Sequence, residues 1–210
     1  MYTPKLTTFH EKSGLARGSI DRVAPEGQGL PIGTTEVIVR VSKAVGTPGA
    51  LPDAVGFALR LPPQHSGEKP WDALLVTAGS NPLARIVALR PVGSWSGHTM
   101  TNLMPLQYQG HNWWLRARIA TDIAGPGLSV DNFRNCLESG EIEVTLDQAC
   151  GTGGFTSLVR ITLTEAIPPD SDVSFDPVLN TAPGVKLFPG WLADLRASAY
   201  ARSRDGRDGG

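Results

Sequence analysis

The chain has 210 residues, 40% of them hydrophobic, a size that buries one sizeable core and favours a single domain over residues 1–210. With 19 Lys and Arg against 20 Asp and Glu, interspersed along most of the chain, the formal charge is −1, which argues against a polyanion-binding surface and so against nucleic acid as a partner. The N-terminal run MYTPKLTTFHEKSG lacks a basic start followed by an apolar stretch, and no segment approaches the roughly 18 apolar residues of a membrane span, so a cytoplasmic chain is expected.

Taken in chain order, most of the sequence reads as short β-runs punctuated by Gly and Pro. Glu36 to Lys43, Val55 to Leu61, Trp71 to Ala78, Leu83 to Leu89, Trp113 to Thr121 and Phe155 to Glu165 are rich in β-branched or aromatic residues and bounded by turn formers. That pattern predicts a mainly β, antiparallel barrel. Two stretches depart from it: Ser129 to Ser139 predicts a short helix and Trp191 to Arg204, without internal Gly or Pro, a longer one. Between the last strand and that helix, a Pro-, Asp- and Gly-rich run from Ala166 to Gly190 predicts an ordered connecting loop.

The alternation of the first run places Ile38, Arg40 and Ser42 on one face and Val37, Val39 and Val41 on the other. A polar pair directed into a barrel needs a polar occupant, whereas on the outside it needs only water. The predicted final helix brings Arg196 and Tyr200 one turn apart, offset by about 40°, and Arg207 returns to within about 20° of Arg196 if the helix runs that far. Alone, this is compatible with a solvated arginine face. An arginine beside a phenol also stabilises the phenolate, which a tyrosine needs to ligate ferric iron at neutral pH. Cys136 and Cys150 have no metal or haem-attachment spacing, and His65, His98 and His111 sit by turns without an HxH or HExxH pattern.

The run FDPVLNTAPGVKLFPGWLADLRASAYARSRDGR, Phe175 to Arg207, resembles the segment of the haem catalases in which FDP, a PPGI-like turn and a helix carry the proximal RxxxY sequence. Arg196 and Tyr200 fall on that sequence, and Arg207 on the arginine that resemblance implies contacts a haem propionate. The chain departs after Tyr200, where catalases continue with Pro-Asp-Thr-His-like residues and this sequence has Ala-Arg-Ser-Arg. FHEKSGLARGSI, Phe9 to Ile20, is similar to the catalase run holding the distal histidine, which puts His10 on that position. Val37 to Leu61 resembles VRFST followed by RGFA, with Arg40 and Ser42 on its Arg and Ser and Val55 where an Arg is usual. The resemblance favours an inward, occupied setting for Arg40 and Ser42.

A third stretch, PWDALLVTAGSNP, Pro70 to Pro82, is similar to WDLVGNNTP, which supplies the distal asparagine. Anchored on Trp71 and Asp72 that position falls on Thr77, which continues the strand face of Trp71, Ala73 and Leu75; anchored on the Asn-Pro pair it falls close to Asn81. Thr77 is preferred. The long N-terminal arms, wrapping loop and C-terminal extension of full catalases are absent, so the chain looks like the barrel core, as in small catalase-like peroxidases and catalase-related allene oxide synthases.

The resemblance implies haem b between barrel and C-terminal helix, with Tyr200 on iron, Arg196 beside it, Arg40 and Arg207 on propionates, His10 as acid and base, Ser42 orienting it, and Thr77 on the distal side. The expected partners are a small-molecule hydroperoxide and an electron donor, with a homodimer left open. A hydroxyl offers less than a carboxamide for holding a second hydrogen peroxide, so organic hydroperoxides are expected over efficient dismutation. The alternatives are a non-enzymatic carrier of haem or a small apolar ligand on the same barrel, and a structural module.

Overall fold

The computed structural model describes residues 13–48, 50–63, 65, 67–78, 89–168, 171 and 173–189. Their strands are β1 (Ser13–Arg22), β2 (Thr35–Lys43), β3 (Val55–Leu61), β4 (Trp71–Val76), β5 (Thr99–Thr101), β6 (Leu106–Tyr108), β7 (His111–Ile119), β8 (Ile142–Cys150), β9 (Thr156–Ile167) and β10 (Lys186–Leu187). All pair antiparallel, in the order β10-β6-β7-β5-β4-β3-β2-β1-β9-β8, and a further β7–β8 pairing closes eight of them into a barrel. β6 and β10 hang from β7 outside the ring.

Period-2 alternation sorts the side chains. Val37, Val39 and Val41 of β2, Phe57 and Leu59 of β3, Leu75 of β4, and Val144 and Leu146 of β8 are buried together in the barrel core. One face of β1 is built from small residues: Gly14, Ala16 and Gly18 point inward, and at the β1–β9 bulge a Cβ on Gly18 would lie 2.0 Å from the Thr162 carbonyl oxygen, so only glycine admits this approach. The helix α1 (Val130–Ser139) buries Val130, Phe133 and Leu137, the i, i+3, i+7 stripe, and Phe133 meets Trp95 with ring centroids 6.4 Å apart. This matches the helix expected over Ser129 to Ser139.

The strand expected over Trp71 to Ala78 runs to Val76, with Ala78 paired to Leu89 as an isolated bridge. Strands β1, β5, β6, β8 and β10 are not among the expected runs, and β10 falls within the stretch expected as a connecting loop. The strand expected from Leu83, apart from Leu89, and the helix expected over Trp191 to Arg204 lie outside the described residues.

Candidate functional site

The register of β1 to β4 lays out the barrel's outer wall row by row. One row reads Ile167, Leu15, Arg40, Ala58, Leu74; the next reads Ser13, Ser42, Gly56, Val76. Neighbouring residues of a row stand about 4.8 Å apart, the strand spacing. Arg40 and Ser42 therefore share a wall, but it is the outer one, since the valines that alternate with them fill the interior. The expectation that this pair points into the barrel is corrected: three valines occupy the inside more favourably than a guanidinium, which would have to be desolvated there.

Nor is this outer wall simply solvated. Leu15, Ala58 and Phe175 form a second buried cluster, with Ile38, Leu74, Ile167 and Val173 packed against it. Phe175 comes from the segment after β9, and its ring lies under two guanidinium groups, 4.8 Å from the Arg40 Cζ and 5.1 Å from the Arg60 Cζ. Gly56 keeps the middle of the wall low: a Cβ there would fall 2.8 Å from the Ser42 hydroxyl oxygen.

Asp72 fastens the Phe175 segment to the wall. Its carboxylate, buried on β4, accepts from Arg60 Nε at 2.7 Å, Arg60 Nη2 at 2.6 Å, the Asp176 amide at 2.8 Å and the Asn180 side-chain amide at 2.8 Å. The Asp72 amide in turn donates to the Asn180 carbonyl at 2.9 Å, and Arg60 Nη2 to the Ser174 carbonyl at 2.6 Å. The hydrogen bond to Asp72 raises the Arg60 pKa above its usual value, against the effect of burial. Asp176 closes a turn of its own, its side chain accepting from the Val178 and Leu179 amides. The Trp-Asp and Phe-Asp-Pro stretches, far apart in sequence, are thus held together by hydrogen bonds.

Thr77 does not join this wall. It is buried, its hydroxyl donates to the Arg90 carbonyl at 2.8 Å and accepts from the Val55 amide at 3.0 Å, and its own amide and carbonyl pair with Val55 and Arg90. Continuing the Trp71, Ala73, Leu75 face placed it inward, since that face is the core-facing one. The residue of β4 that lies on the wall beside Gly56 is Val76. His10, Asn81, Arg196, Tyr200 and Arg207 lie outside the described residues.

Sequence reasoning missed Arg60, Asp72 as a clasp, and Phe175 as part of the wall. The alternation of Ala58, Arg60 and of Asp72, Leu74 carried the signal that these residues share a face, but only pairing in register shows Arg60 opposite Asp72. Among the described residues no three His, Cys, Asp or Glu side chains are grouped to hold a metal ion, and no helix is long and apolar enough to cross a membrane. No protein-family model and no curated protein matches the chain.

Proposed function

We propose that this barrel binds haem b against the outer wall of β1 to β4 and acts as a peroxidase on hydroperoxides, organic ones in preference to hydrogen peroxide. The observation that carries the reading is the meeting of separate stretches on one face: Arg40, Ser42 and Gly56 from the VIVRVSK and VGFAL strands, and Phe175 with Asp176 from the segment that leads toward Arg196 and Tyr200. The small residues Ser42, Gly56 and Ala58 leave the wall flat enough for a macrocycle to lie beside Phe175, and Arg40 carries a guanidinium of the kind that takes a propionate.

Bound haem supplies an iron at which the O–O bond of a hydroperoxide is cleaved. In this reading Tyr200 ligates the iron and Arg196 keeps its phenol anionic, while Arg40 and Arg207 hold propionates. His10 would take the proton from one peroxide oxygen and return it to the other, and an external donor would supply the two electrons and two protons that balance release of alcohol and water. Ser42 orients the His10 imidazole. His10 precedes Ser13 by three residues, and Ser13 pairs with Ser42; three residues of chain span at most about 11 Å, so Ser42 is within reach. Val76 on the wall offers no hydrogen bond to a second hydrogen peroxide, which supports the preference for organic hydroperoxides.

The test is the absorption spectrum of the purified chain with added haemin. The parent is expected to take up haem with a ferric high-spin, phenolate-ligated spectrum, and Tyr200→Phe to lose it. An unchanged spectrum in that variant removes Tyr200 as the ligand, and no uptake by the parent removes the reading.

A further inference from the structure

Beyond the β4 end of the wall the barrel has a seam. β4 meets β5 through the single pair Val76 and Thr101, after which β5 ends. The edge of β7 left uncovered there is closed by a side chain: Asn102 Oδ1 accepts from the Leu115 amide at 2.8 Å and its Nδ2 donates to the Met104 carbonyl at 2.6 Å. A pouch of about 150 Å³ occupies this seam. It is lined by Leu74 and Val76 from the wall, Leu115 from the interior, and Met104, Leu106 and Leu187 from the elements folded over it.

We propose that this pouch is a binding site for one uncharged apolar group of benzene size, such as an aryl or branched alkyl group. Volume sets the size, because an apolar cavity of about 150 Å³ is large enough to take up benzene. Chemistry sets the character. The two polar side chains of the lining are already engaged: Asp72 accepts three hydrogen bonds on Oδ2 and one on Oδ1, and both ends of the Asn102 amide are paired. The Asp72 charge is met by Arg60 at 2.6 Å, so the rim does not call for a cation. What the pouch offers an occupant is aliphatic contact, and it selects by shape. The pouch shares Leu74 and Val76 with the wall of the haem reading, but its occupant needs no haem.

The probe is benzene, titrated into protein labelled with ¹³C at the methionine methyls and given no haem. Of the three methionines, Met104 lines the pouch, while Met100 is buried in the core and is not part of the lining, and Met1 precedes β1 in the sequence. A saturable shift of the Met104 methyl, with Met100 still, is expected. Leu74→Phe and, separately, Leu187→Phe fill the pouch from opposite sides, and each folded variant should weaken benzene binding by about tenfold or more. No Met104 shift in the folded parent, an equal shift at Met100, or undiminished binding in a folded filled variant overturns the site. Haem uptake by the same protein is read from its spectrum, so failure of one reading is not confused with failure of the other.

Discussion

Over β7, β8 and β9 the outward positions carry Arg116, Arg118, Glu143, Thr145, Asp147 and Arg160, whereas over β1 to β4 the same alternation carries Leu15, Ile38, Ala58 and Leu74 among its polar residues. Each wall has one cross-strand Arg–Asp pair with a phenylalanine beneath the guanidinium. On the polar wall Arg116 meets Asp147 at 2.7 Å and lies 4.3 Å from the Phe155 ring centre; on the apolar wall Arg60 meets Asp72 at 2.6 Å and lies 5.1 Å from that of Phe175. The local device is the same and the burial differs: the side chains are 36% and 17% exposed in the first pair, 22% and 0% in the second. A covering segment makes the difference. On one wall the pair decorates a surface that water already satisfies, and on the other it binds the 173–180 segment over a face that water does not.

The largest effect that separates the two walls is the loss of each aspartate. Asp72→Ala leaves Arg60 mostly buried and unpaired and frees the Asp176 and Asn180 donors, a change expected to cost about 3–5 kcal/mol. Asp147→Ala removes a half-exposed pair and is expected to cost about 0.2–1 kcal/mol. Urea unfolding of both variants checks the contrast. Equal losses would mean that the clasp adds nothing to a surface ion pair.

The two faces of β2 were legible in its sequence, and so was the helix α1, since both follow from periodicity over seven residues or more. Which β2 face is inside was not. Ile38 could belong to a core as readily as Val37, and the answer depends on Phe175, which covers the Ile38 face from far along the chain. Thr77 continues the Trp71 face, as its alternation with Ala73 and Leu75 indicates, and it lies inside the barrel because that face, like the Val37 face of β2, is the core-facing one. β1 escaped notice as a strand because Gly14 and Gly18 weaken its β-propensity; its small inner face makes sense only against β9 and Phe133. By contrast β8, Ile142–Cys150, alternates cleanly enough to have been read from sequence.

A smaller effect sharpens the geometry of the apolar wall. Gly56→Ala should crowd the Ser42 hydroxyl, which then leaves its present rotamer at a cost of roughly 0.5–1.5 kcal/mol. That cost should vanish when Ser42 is also replaced by Ala, so a double-mutant cycle in urea isolates it as a coupling. No coupling would show that Ser42 is not held over Gly56. On the polar wall, Thr145→Ala and Ser157→Ala touch no such neighbour and are expected to stay within about 0.5 kcal/mol of the parent.

The smallest expected effect belongs to the proposed haem reading and concerns what the wall would present to peroxide. In the proposed haem reading a distal carboxamide would hold part of a second hydrogen peroxide, and the β4 position beside Gly56 and Ser42 is filled by Val76. Val76→Asn places an amide there. The substitution is tolerable because the position is half-buried and its cross-strand partner Thr101 has a buried hydroxyl without a hydrogen-bond partner among the described residues, which the new amide can satisfy. One net hydrogen bond to peroxide of about 0.5–1 kcal/mol corresponds to a factor of roughly two to five. At equal haem content the ratio of oxygen evolved from hydrogen peroxide to dye oxidised with cumene hydroperoxide should therefore rise by that order in the variant. Thr77→Asn, whose hydroxyl ties Val55 to Arg90 on the inner side, should leave the ratio unchanged and lower stability instead. A rise with Thr77→Asn and none with Val76→Asn would return the distal position to Thr77 and show that this wall is not where peroxide is held.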